Sequence, residues 1–484
     1  MDQNVGHFVL VPFFTQGHLI PMVDLGFVIA QRGNNRVSII ITPFNLTRLQ
    51  TTVDFINRSG LPIDFIPLRF PTEELGLPKG CESVDVLPTE NHLLNFHQFY
   101  KGHAMLAEQL ETYIRQRQQI NPSIPTIIIT DFMNSWTRRI SDKLSISRFG
   151  FCIVSCFTWH LRELFQEYDN NSDGDLVISD VDHRIKLILP KGFVLGSSQD
   201  QEYIRSDIKD VENSVHGILV NTFYELEPIF VDKYRKMTGK NVLPIGPLLL
   251  CHDSNMDKAI RGARSLVEKN KILKFLDSMD PASVVFFGVG SIVILSMIQI
   301  KEIGKGLEES GYPFIWVIKC FNDDMRNGVE EWLRNDRLEE RTKTRSFIIR
   351  GWAPQLMIIS HASIGALFTH CGWNSTLEGI SVGIPMIAWP FSEDQFPNMT
   401  FITQIAKTSI GIDIDEEPVY SPNYTVKSDT ITKAIERVMN GGEEGVERRK
   451  RALDLKDAAI AAFDVAGSSH TNMSFFLRQI FNKV

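Results

Sequence analysis

The chain has 484 residues, of which 43% are hydrophobic and 22% are charged, a composition typical of a globular protein with more than one core. Its 32 glycines and 22 prolines form no low-complexity run, which excludes collagen-like, coiled-coil and broadly disordered classes. Acidic residues outnumber basic ones by 58 to 50, and the net charge of −8 argues against sequence-independent binding of nucleic acid. The length alone predicts roughly three domains.

Cysteine usage and the N-terminus bear on the compartment. The six cysteines include no Cys-x-x-Cys pair, so neither a disulfide framework nor a zinc site is predicted. The first residues carry no basic segment, and Gln16, Gly17 and His18 interrupt the apolar run, which favours a buried strand over a signal peptide. No apolar run reaches the roughly 18 residues of a membrane span. We expect a cytoplasmic protein without stable membrane insertion.

Short apolar strands alternate with amphipathic helices through the first half of the chain. Strands are predicted over His7–Phe14, Val37–Thr42, Ile63–Pro67, Thr126–Thr130 and Phe149–Ser155. Helices are predicted over His18–Arg32, ended by Gly33, and over His92–Arg117 as one long helix. Continuous apolar strands separated by helices indicate a parallel sheet covered on both faces.

The second half repeats this alternation. Its strands are predicted over Ser283–Phe287, Phe314–Ile318, Ser346–Arg350, Ile364–Thr369 and Pro385–Trp389. The polar, irregular stretch 249–264 is interpreted as a linker between a first domain, 1–248, and a second, 265–460. The predicted fold class is therefore α/β with two doubly wound domains. Ligands bind beyond the carboxyl ends of the strands in such sheets, so the cleft between the domains is the expected site.

The segment Trp352–Gln395 has the pattern of a nucleotide site. His370 ends a buried strand, a Gly turn follows, and a helix start then presents free N–H groups to an anion. Asn374 and Glu378 fall on one helix face, where a carboxylate suits a ribose diol, and Trp352 offers a flat face to a base. Asp394 and Gln395 follow the next strand and suit sugar hydroxyls. A capping box from Ser375 to Glu378 is the structural alternative.

The first domain supplies a candidate base. His18 follows the first strand, and Asp131 ends another strand of the same sheet, an arrangement that activates a hydroxyl. The alternatives are a structural histidine and an aspartate that caps a helix. Phe13, Phe14 and Met133 flank this pair as candidate acceptor-binding residues, with core packing as their alternative.

The 44 residues of Trp352–Gln395 closely resemble the signature of plant family 1 UDP-glycosyltransferases, with no gap. The resemblance extends over nearly the whole chain, through SVVFFGVGS at 283–291, GLPKGCESVDVLP at 76–88 and GSSHTN at 467–472. It implies two facing Rossmann-like domains, the GT-B fold, with a C-terminal helix in 461–484 packing back on the first domain. It gives His18 the role of base and Asp131 that of its support. The implied donor-binding residues are Ser291, Trp352, Ala353, Gln355, His370, Trp373, Asn374, Ser375, Glu378, Asp394 and Gln395.

The resemblance implies an inverting, metal-independent transfer of glucose from UDP-glucose to a hydroxyl or carboxyl, with no further cofactor. Gln395, the last residue of the 44-residue segment, is similar to the glutamine that glucose-preferring members have at this position. The expected acceptor is an apolar plant metabolite, most of all a triterpenoid or steroid-like one. Flavonoid or phenolic acceptors, another UDP-sugar, and a non-catalytic nucleotide-sugar binder are the alternatives. We expect a monomer whose partners are small-molecule substrates.

Two further patterns are weaker. The acidic stretch Asp169–Asp180 matches a calcium loop, but position 12 is Asp180 and no exiting helix is predicted, so a solvated loop is the favoured interpretation. Two Asp-x-Asp triplets, at 173–175 and 413–415, lack a phosphate-binding context. Neither pattern changes the expectation of a reaction without a metal ion.

Overall fold

The computed structural model describes residues 5–33, 35–167, 177–178, 185–186, 202–252, 254–263, 267–320, 322–412 and 425–481. Its strands are β1 (His7–Val11), β2 (Arg36–Ile41), β3 (Ile63–Pro67), β4 (Thr126–Asp131), β5 (Ser147–Cys152), β6 (Val177–Ile178), β7 (Ile185–Lys186), β8 (Ile218–Val220), β9 (Val242–Pro244), β10 (Val284–Gly288), β11 (Phe314–Ile318), β12 (Ser346–Arg350), β13 (Ile364–Thr369), β14 (Met386–Ala388) and β15 (Ser409–Gly411).

Helices cover both faces of the sheets. Those of the first half are α1 (Gln16–Ala30), α2 (Pro43–Arg48), α3 (Gln50–Ser59), α4 (His92–Ala104), α5 (Ala107–Ile120), α6 (Thr137–Leu144), α7 (Cys156–Glu167), α8 (Glu202–Ser214), α9 (Pro228–Thr238) and α10 (Asn255–Ile260). Those of the second half are α11 (Lys269–Asp277), α12 (Met297–Glu309), α13 (Asp323–Asp336), α14 (Leu338–Arg341), α15 (Gln355–Ile359), α16 (Trp373–Val382), α17 (Gln395–Thr400), α18 (Ser428–Met439), α19 (Gly442–Phe463) and α20 (Ser468–Phe481).

The short strands β6 and β7 pair antiparallel with each other, and the other described strands form two separate parallel sheets, as expected for two Rossmann-like domains. The first has the order β3-β2-β1-β4-β5-β8-β9, and the second has the order β12-β11-β10-β13-β14-β15. In the first sheet Leu10 pairs with Ile129 and Val11 with Thr130, so β1 and β4 end side by side. In the second, β10 and β13 are central neighbours and pair Gly288 with Thr369. Each order reverses at these central strands, where ligand crevices form in such sheets.

Apolar residues on both faces of each sheet build the cores. On one face of the first sheet, Phe8 and Phe149 lie against Phe476 of α20, with ring centroids 6.1 and 4.9 Å apart. Met473 of α20 is also fully buried in this cluster. The last helix of the chain, α20, therefore packs on the first sheet.

One predicted helix was wrong. The stretch His92–Arg117 divides into α4 and α5, which are separated at Met105 and Leu106. Neither residue is a helix breaker. Leu106 is fully buried, so packing against the core rather than local propensity sets the break.

Candidate active site

A cleft of about 440 Å³ lies between the carboxyl ends of the two sheets, a size typical of sites for small molecules. The turn at 15–18, which joins β1 to α1, lines it from the first sheet. The second sheet contributes the segments after β10 and β12 and the start of α16. Both sheets direct strand ends into one space, as the sequence predicts.

His18 and Asp131 meet in this cleft. Nδ1 of His18 lies 2.7 Å from Oδ2 of Asp131, although the two residues are 113 positions apart. The carboxylate is 2% exposed and the imidazole 24% exposed, so the pair is anchored inside and open on its histidine side. The other oxygen, Oδ1, accepts the backbone N–H of Met133 at 2.9 Å. A buried carboxylate that is fixed on both oxygens holds the imidazole with Nδ1 as donor and Nε2 available as acceptor.

Asp131 is not a helix cap. The next helix, α6, begins at Thr137 and has Trp136 at its N-cap position. Its carboxylate oxygens instead bind His18 and the turn at Met133. The alternative for this aspartate is therefore wrong, and the pair has the geometry of a general base and the group that orients it.

His370 is wedged between two glycines on the opposite side of the cleft. A Cβ on Gly290 would lie 2.5 Å from the ring, and one on Gly372 would lie 2.4 Å from Nε2. Gly290 also has φ of +79°, a conformation that favours glycine. Burial lowers the pKa of His370 to about 4. The sequence suggests a cation-capable donor here, but the low pKa makes the buried imidazole neutral at pH 7, so it offers an N–H without a full charge.

The start of α16 is open, as an anion site requires. Its N-cap is Gly372, which has no side chain to bond the first-turn N–H groups. Ser375 is the third residue inside the helix and Glu378 the sixth, so the capping-box alternative is wrong. Asn374 donates from Nδ2 to the carbonyl of Gly17 at 2.5 Å, which joins α16 to the turn before His18.

Glu378 is held by side chains from two directions. Gln355 donates from Nε2 to Oε2 of Glu378 at 2.7 Å and also contacts Oγ of Ser375 at 3.1 Å. The guanidinium of Arg261 binds Oε1 from the linker side. Trp352 and the mostly buried Ala353 also line the cleft. These residues form a compact polar surface at the expected nucleoside position.

Asp394 and Gln395 lie at the start of α17, and their polar atoms are partly used. Oε1 of Gln395 accepts the backbone N–H groups of Phe391 and Ser392 at 2.8 and 3.2 Å, and Nε2 donates to Oγ of Ser392 at 3.1 Å, which leaves one amide N–H for a ligand. Asn398 donates to Oδ2 of Asp394 at 2.8 Å. Burial outweighs this bond and raises the pKa of Asp394 to about 6.

Two other predicted donor residues differ in availability. The indole N–H of Trp373 donates to the carbonyl of Asn221 at 2.9 Å, so this side chain joins the two domains and cannot donate to a sugar. Ser291 lies in the cleft after β10, and its carbonyl accepts from Lys319.

The predicted acceptor residues are buried or partly buried, and none of the three is among the residues that line the cleft. Phe13, 2% exposed, lies edge to face with His18 with ring centroids 5.5 Å apart, and it stacks on His103 with centroids 4.4 Å apart. Phe14 packs against Phe70 and His103 and is 1% exposed, so core packing describes it better than contact with a ligand. Met133 is partly buried beside the same cluster.

Sequence reasoning missed several residues of the cleft. Both side-chain polar atoms of Gln16 are buried without a hydrogen-bond partner among the described residues, although Gln16 lines the cleft. Arg48 and Lys319 line it from opposite domains and share the carboxylate of Asp85. Gln16 belongs to the turn before His18 and could have been included from its position. Arg48 and Lys319 become neighbours only through the packing of the domains, which a single sequence does not encode locally.

The calcium-loop pattern at Asp169–Asp180 lies outside the described residues, apart from the two-residue strand β6. The triplets at 173–175 and 413–415 also lie outside them. Among the described residues, no helix is long and apolar enough to cross a bilayer.

Comparison with known proteins decides the family. Residues 255–443 match the family model described as UDP-glucoronosyl and UDP-glucosyl transferase. The chain is 35% identical to UDP-glycosyltransferase 73C25 of Barbarea vulgaris over 98% of this chain and 96% of that protein. The chain belongs to the UDP-glycosyltransferase family.

Solved structures of this family have the same fold. The crystal structure of Glycyrrhiza uralensis UGT73P12 with glycyrrhetinic acid 3-O-monoglucuronide superposes with a TM-score of 0.87 at 30% identity, covering 99% of this chain and 96% of that one. Phytolacca americana UGT2 with UDP-2fluoro-glucose and pterostilbene gives a TM-score of 0.76 at 25% identity, covering 98% and 99%. The protein is a glycosyltransferase enzyme with the GT-B fold of plant members.

Proposed function

We propose that this glycosyltransferase transfers glucose from UDP-glucose to a hydroxyl or carboxyl of a triterpenoid or steroid-like metabolite, with inversion. The single observation that carries the proposed chemistry is the 2.7 Å bond between His18 and Asp131 in the cleft. It leaves Nε2 of His18 to remove the proton of an acceptor hydroxyl. The resulting oxygen attacks the anomeric carbon of the α-linked sugar, UDP leaves, and one displacement forms a β-glucoside.

The opposite side of the cleft supports binding of the leaving UDP. The open start of α16 presents backbone N–H groups and the positive end of a helix dipole to the diphosphate. His370 and the hydroxyl of Ser291 add neutral donors, and Asn374 borders the same helix turn. Fixed donors of this kind stabilise developing negative charge without reorganisation. The proposed mechanism assigns no step to a metal ion or further cofactor.

We propose that the uracil, ribose and sugar of the donor bind successive groups of residues along the cleft. Trp352 and Ala353 take the uracil, Gln355 and Glu378 the ribose, and Trp373, Asp394 and Gln395 lie around the sugar. Since the indole N–H of Trp373 is bound to Asn221, its backbone is the part left for the sugar. Asp394 accepts from sugar hydroxyls, and Gln395 donates its remaining amide N–H.

The acceptor proposal depends on the surroundings of His18 and on the relatives. The rings of Phe13 and His18 pack in a T-shaped arrangement, so an aromatic side chain adjoins the proposed base, which suits an apolar acceptor. The Glycyrrhiza structure holds a triterpenoid glucuronide. A phenolic acceptor is the second candidate, because the Phytolacca structure holds pterostilbene.

A mass-spectrometric screen tests the proposal. The enzyme is incubated with UDP-glucose and a panel of triterpenoid, steroid and phenolic alcohols and acids, beside His18→Ala. A glucoside of the triterpenoid or steroid class that depends on His18 supports it, whereas products confined to phenolics favour the second candidate. Competition between UDP-glucose, UDP-galactose, UDP-xylose and UDP-glucuronate tests the donor. Absence of product from every combination, with UDP still bound, would indicate a non-catalytic binder.

A further inference from the structure

Arg261 lies at the junction of the linker and both domains. Its Nε donates to Oδ2 of Asp24 in α1 at 2.9 Å, and its other arm binds Oε1 of Glu378 in α16. The guanidinium is 6% exposed, and the two carboxylates are 1% and 6% exposed. One cation from the linker therefore bonds two carboxylates, one in each domain, inside the protein.

The charges explain why this cluster is stable only as a unit. Burial opposes ionisation of the Asp24 carboxyl, but Arg261 and His252 outweigh it and hold the pKa below its usual value. Burial also opposes the charged guanidinium, and Asp24 and Glu378 outweigh it and raise the pKa of Arg261. A buried ionic partner left without its counter-charge is strongly unfavourable, so both carboxylates would lose a buried ionic partner if Arg261 were removed.

A metal ion is a poorer occupant of this place. Ligand atoms of Asp24, Cys251 and His252 lie within 4.8 Å of one another. However, His252 already contacts Oδ1 of Asp24 at 2.7 Å, and Arg261 occupies Oδ2. The guanidinium fills the position of a cation, and a second positive charge beside it would be repelled.

The hydrogen bonds to Glu378 use half of the acceptor positions of its carboxylate. Arg261 takes one lone-pair position of Oε1, and Gln355 takes one of Oε2. Each carboxylate oxygen accepts two hydrogen bonds, so one position is left on each oxygen. Two fixed, adjacent acceptor positions match the two vicinal hydroxyls of a ribose.

We propose that Arg261 is a positioning residue, which fixes the Glu378 carboxylate for the ribose hydroxyls of the donor and ties it to α1. This inference rests on the proposed contact between Glu378 and the ribose. Since α1 also carries His18, the same side chain sets the donor ribose relative to the base. In this proposal Arg261, which also lines the cleft, acts on the nucleotide through Glu378 and not on the reacting atoms.

The test compares two nucleotides that differ only at the ribose. Binding of UDP and of 2′,3′-dideoxy-UDP is measured by calorimetry with the wild type, Arg261→Met and Arg261→Lys. The wild type is expected to prefer UDP by at least about tenfold, the value of hydrogen bonds to a charged group. In Arg261→Met this preference falls to about twofold while affinity for the dideoxy nucleotide is kept. With UDP-glucose the same variant raises KM much more than it lowers kcat.

Arg326→Met serves as the matched control, because Arg326 is an exposed arginine paired with Asp323 on α13. It should keep the wild-type preference. Equal losses of UDP and dideoxy-UDP affinity in Arg261→Met would show that Arg261 only supports the fold and would overturn the inference. A wild type that binds both nucleotides equally would instead refute the ribose contact of Glu378, and the inference with it. Failure of the wild type to bind either nucleotide would refute the proposed donor site as a whole.

Arg261→Lys covers the case in which the methionine variant does not fold. Lysine retains the charge but lacks the planar fork that bonds Asp24 and Glu378 at once. We expect a folded protein whose preference for UDP is reduced to about a third of the wild-type ratio. A folded lysine variant with the full wild-type preference would overturn the proposed role of the guanidinium geometry.

Discussion

The two walls of the cleft are built differently. The catalytic wall, residues 15–18 and 131–133, presents one imidazole with one partner, and that imidazole is a quarter exposed. The donor wall, residues 288–292, 351–355, 370–378 and 394–395, contains side chains that are already held by hydrogen bonds, Gln355 to Ser375 and Glu378, and Asp394 to Asn398. Under the proposed function, a simple histidine–carboxylate pair faces the acceptor, whereas several groups of the donor wall are oriented before the nucleotide binds.

The largest effect is expected from His18→Ala on the catalytic wall. Loss of the base should lower turnover by roughly three orders of magnitude, within the range of general-base catalysis. UDP binding should change little, because the donor wall is untouched. Steady-state kinetics and calorimetry measure the two quantities. His361→Ala is the control, since His361 pairs with Asp277 outside the cleft; near-normal turnover of His18→Ala would contradict the assignment.

Asp131→Asn should have the next largest effect. The amide keeps the shape but does not hold the imidazole in the correct tautomer, so kcat should fall by about 100-fold with KM for UDP-glucose nearly unchanged. Asp277→Asn changes the same kind of histidine pair on the surface and should leave kcat as it is. An equal change in kcat for both variants would mean that Asp131 has no special role.

On the donor wall, Asp394→Asn is expected to separate stability from function. Its folded pKa of about 6 lies above the ordinary value of 3.8, so the folded state binds the extra proton and the ionised group destabilises it at neutral pH. Removing the charge should raise the free energy of unfolding at pH 7.5 by roughly 2 kcal/mol and weaken use of the sugar donor.

Chemical denaturation between pH 4 and pH 8 measures this effect. In the wild type this carboxyl makes stability fall as pH rises from about 4 to about 6, and the variant should lack that contribution. Asp324→Asn, at an exposed carboxylate of α13, should show neither change. A variant that is less stable than the wild type at every pH would contradict the prediction.

The smallest effect is expected at Gly290, one of the two glycines that enclose the His370 ring. In Gly290→Ala the new methyl group would overlap the imidazole, displace it and weaken UDP binding by about tenfold, the value of one hydrogen bond. Gly311→Ala is a matched control, because Gly311 has a similar positive φ of +73° with no atom within 4 Å. Both variants should lose stability because alanine strains the left-handed backbone, Gly290→Ala more because of the overlap with the imidazole, and only Gly290→Ala should lose affinity in calorimetry.

The fold and the strand ends of the cleft were predictable because they depend on local patterns. The strands β3, β11, β12 and β13 have the bounds that apolar runs predict, and the turns that follow β11, β12 and β13 carry polar residues of the cleft. The role of Ser375 was harder to predict, since Ser-x-x-Glu is also the pattern of a helix cap. Only the helix start at Trp373 distinguishes a capping residue from one inside the first turn. Arg261 lies 117 residues from Glu378 in a linker without periodicity, so no local signal links them.

The packing of α20 on the first sheet has a consequence for synthesis. More than 220 residues separate Pro244, the end of that sheet, from Ser468, where α20 begins. At ribosomal rates of roughly 5–20 residues per second, synthesis of the last strand precedes synthesis of the helix that covers Phe8 and Phe149 by roughly 10–45 seconds. During that interval an apolar face of the nascent chain is open to solvent, and the first half completes its core only when the last helix has left the ribosome.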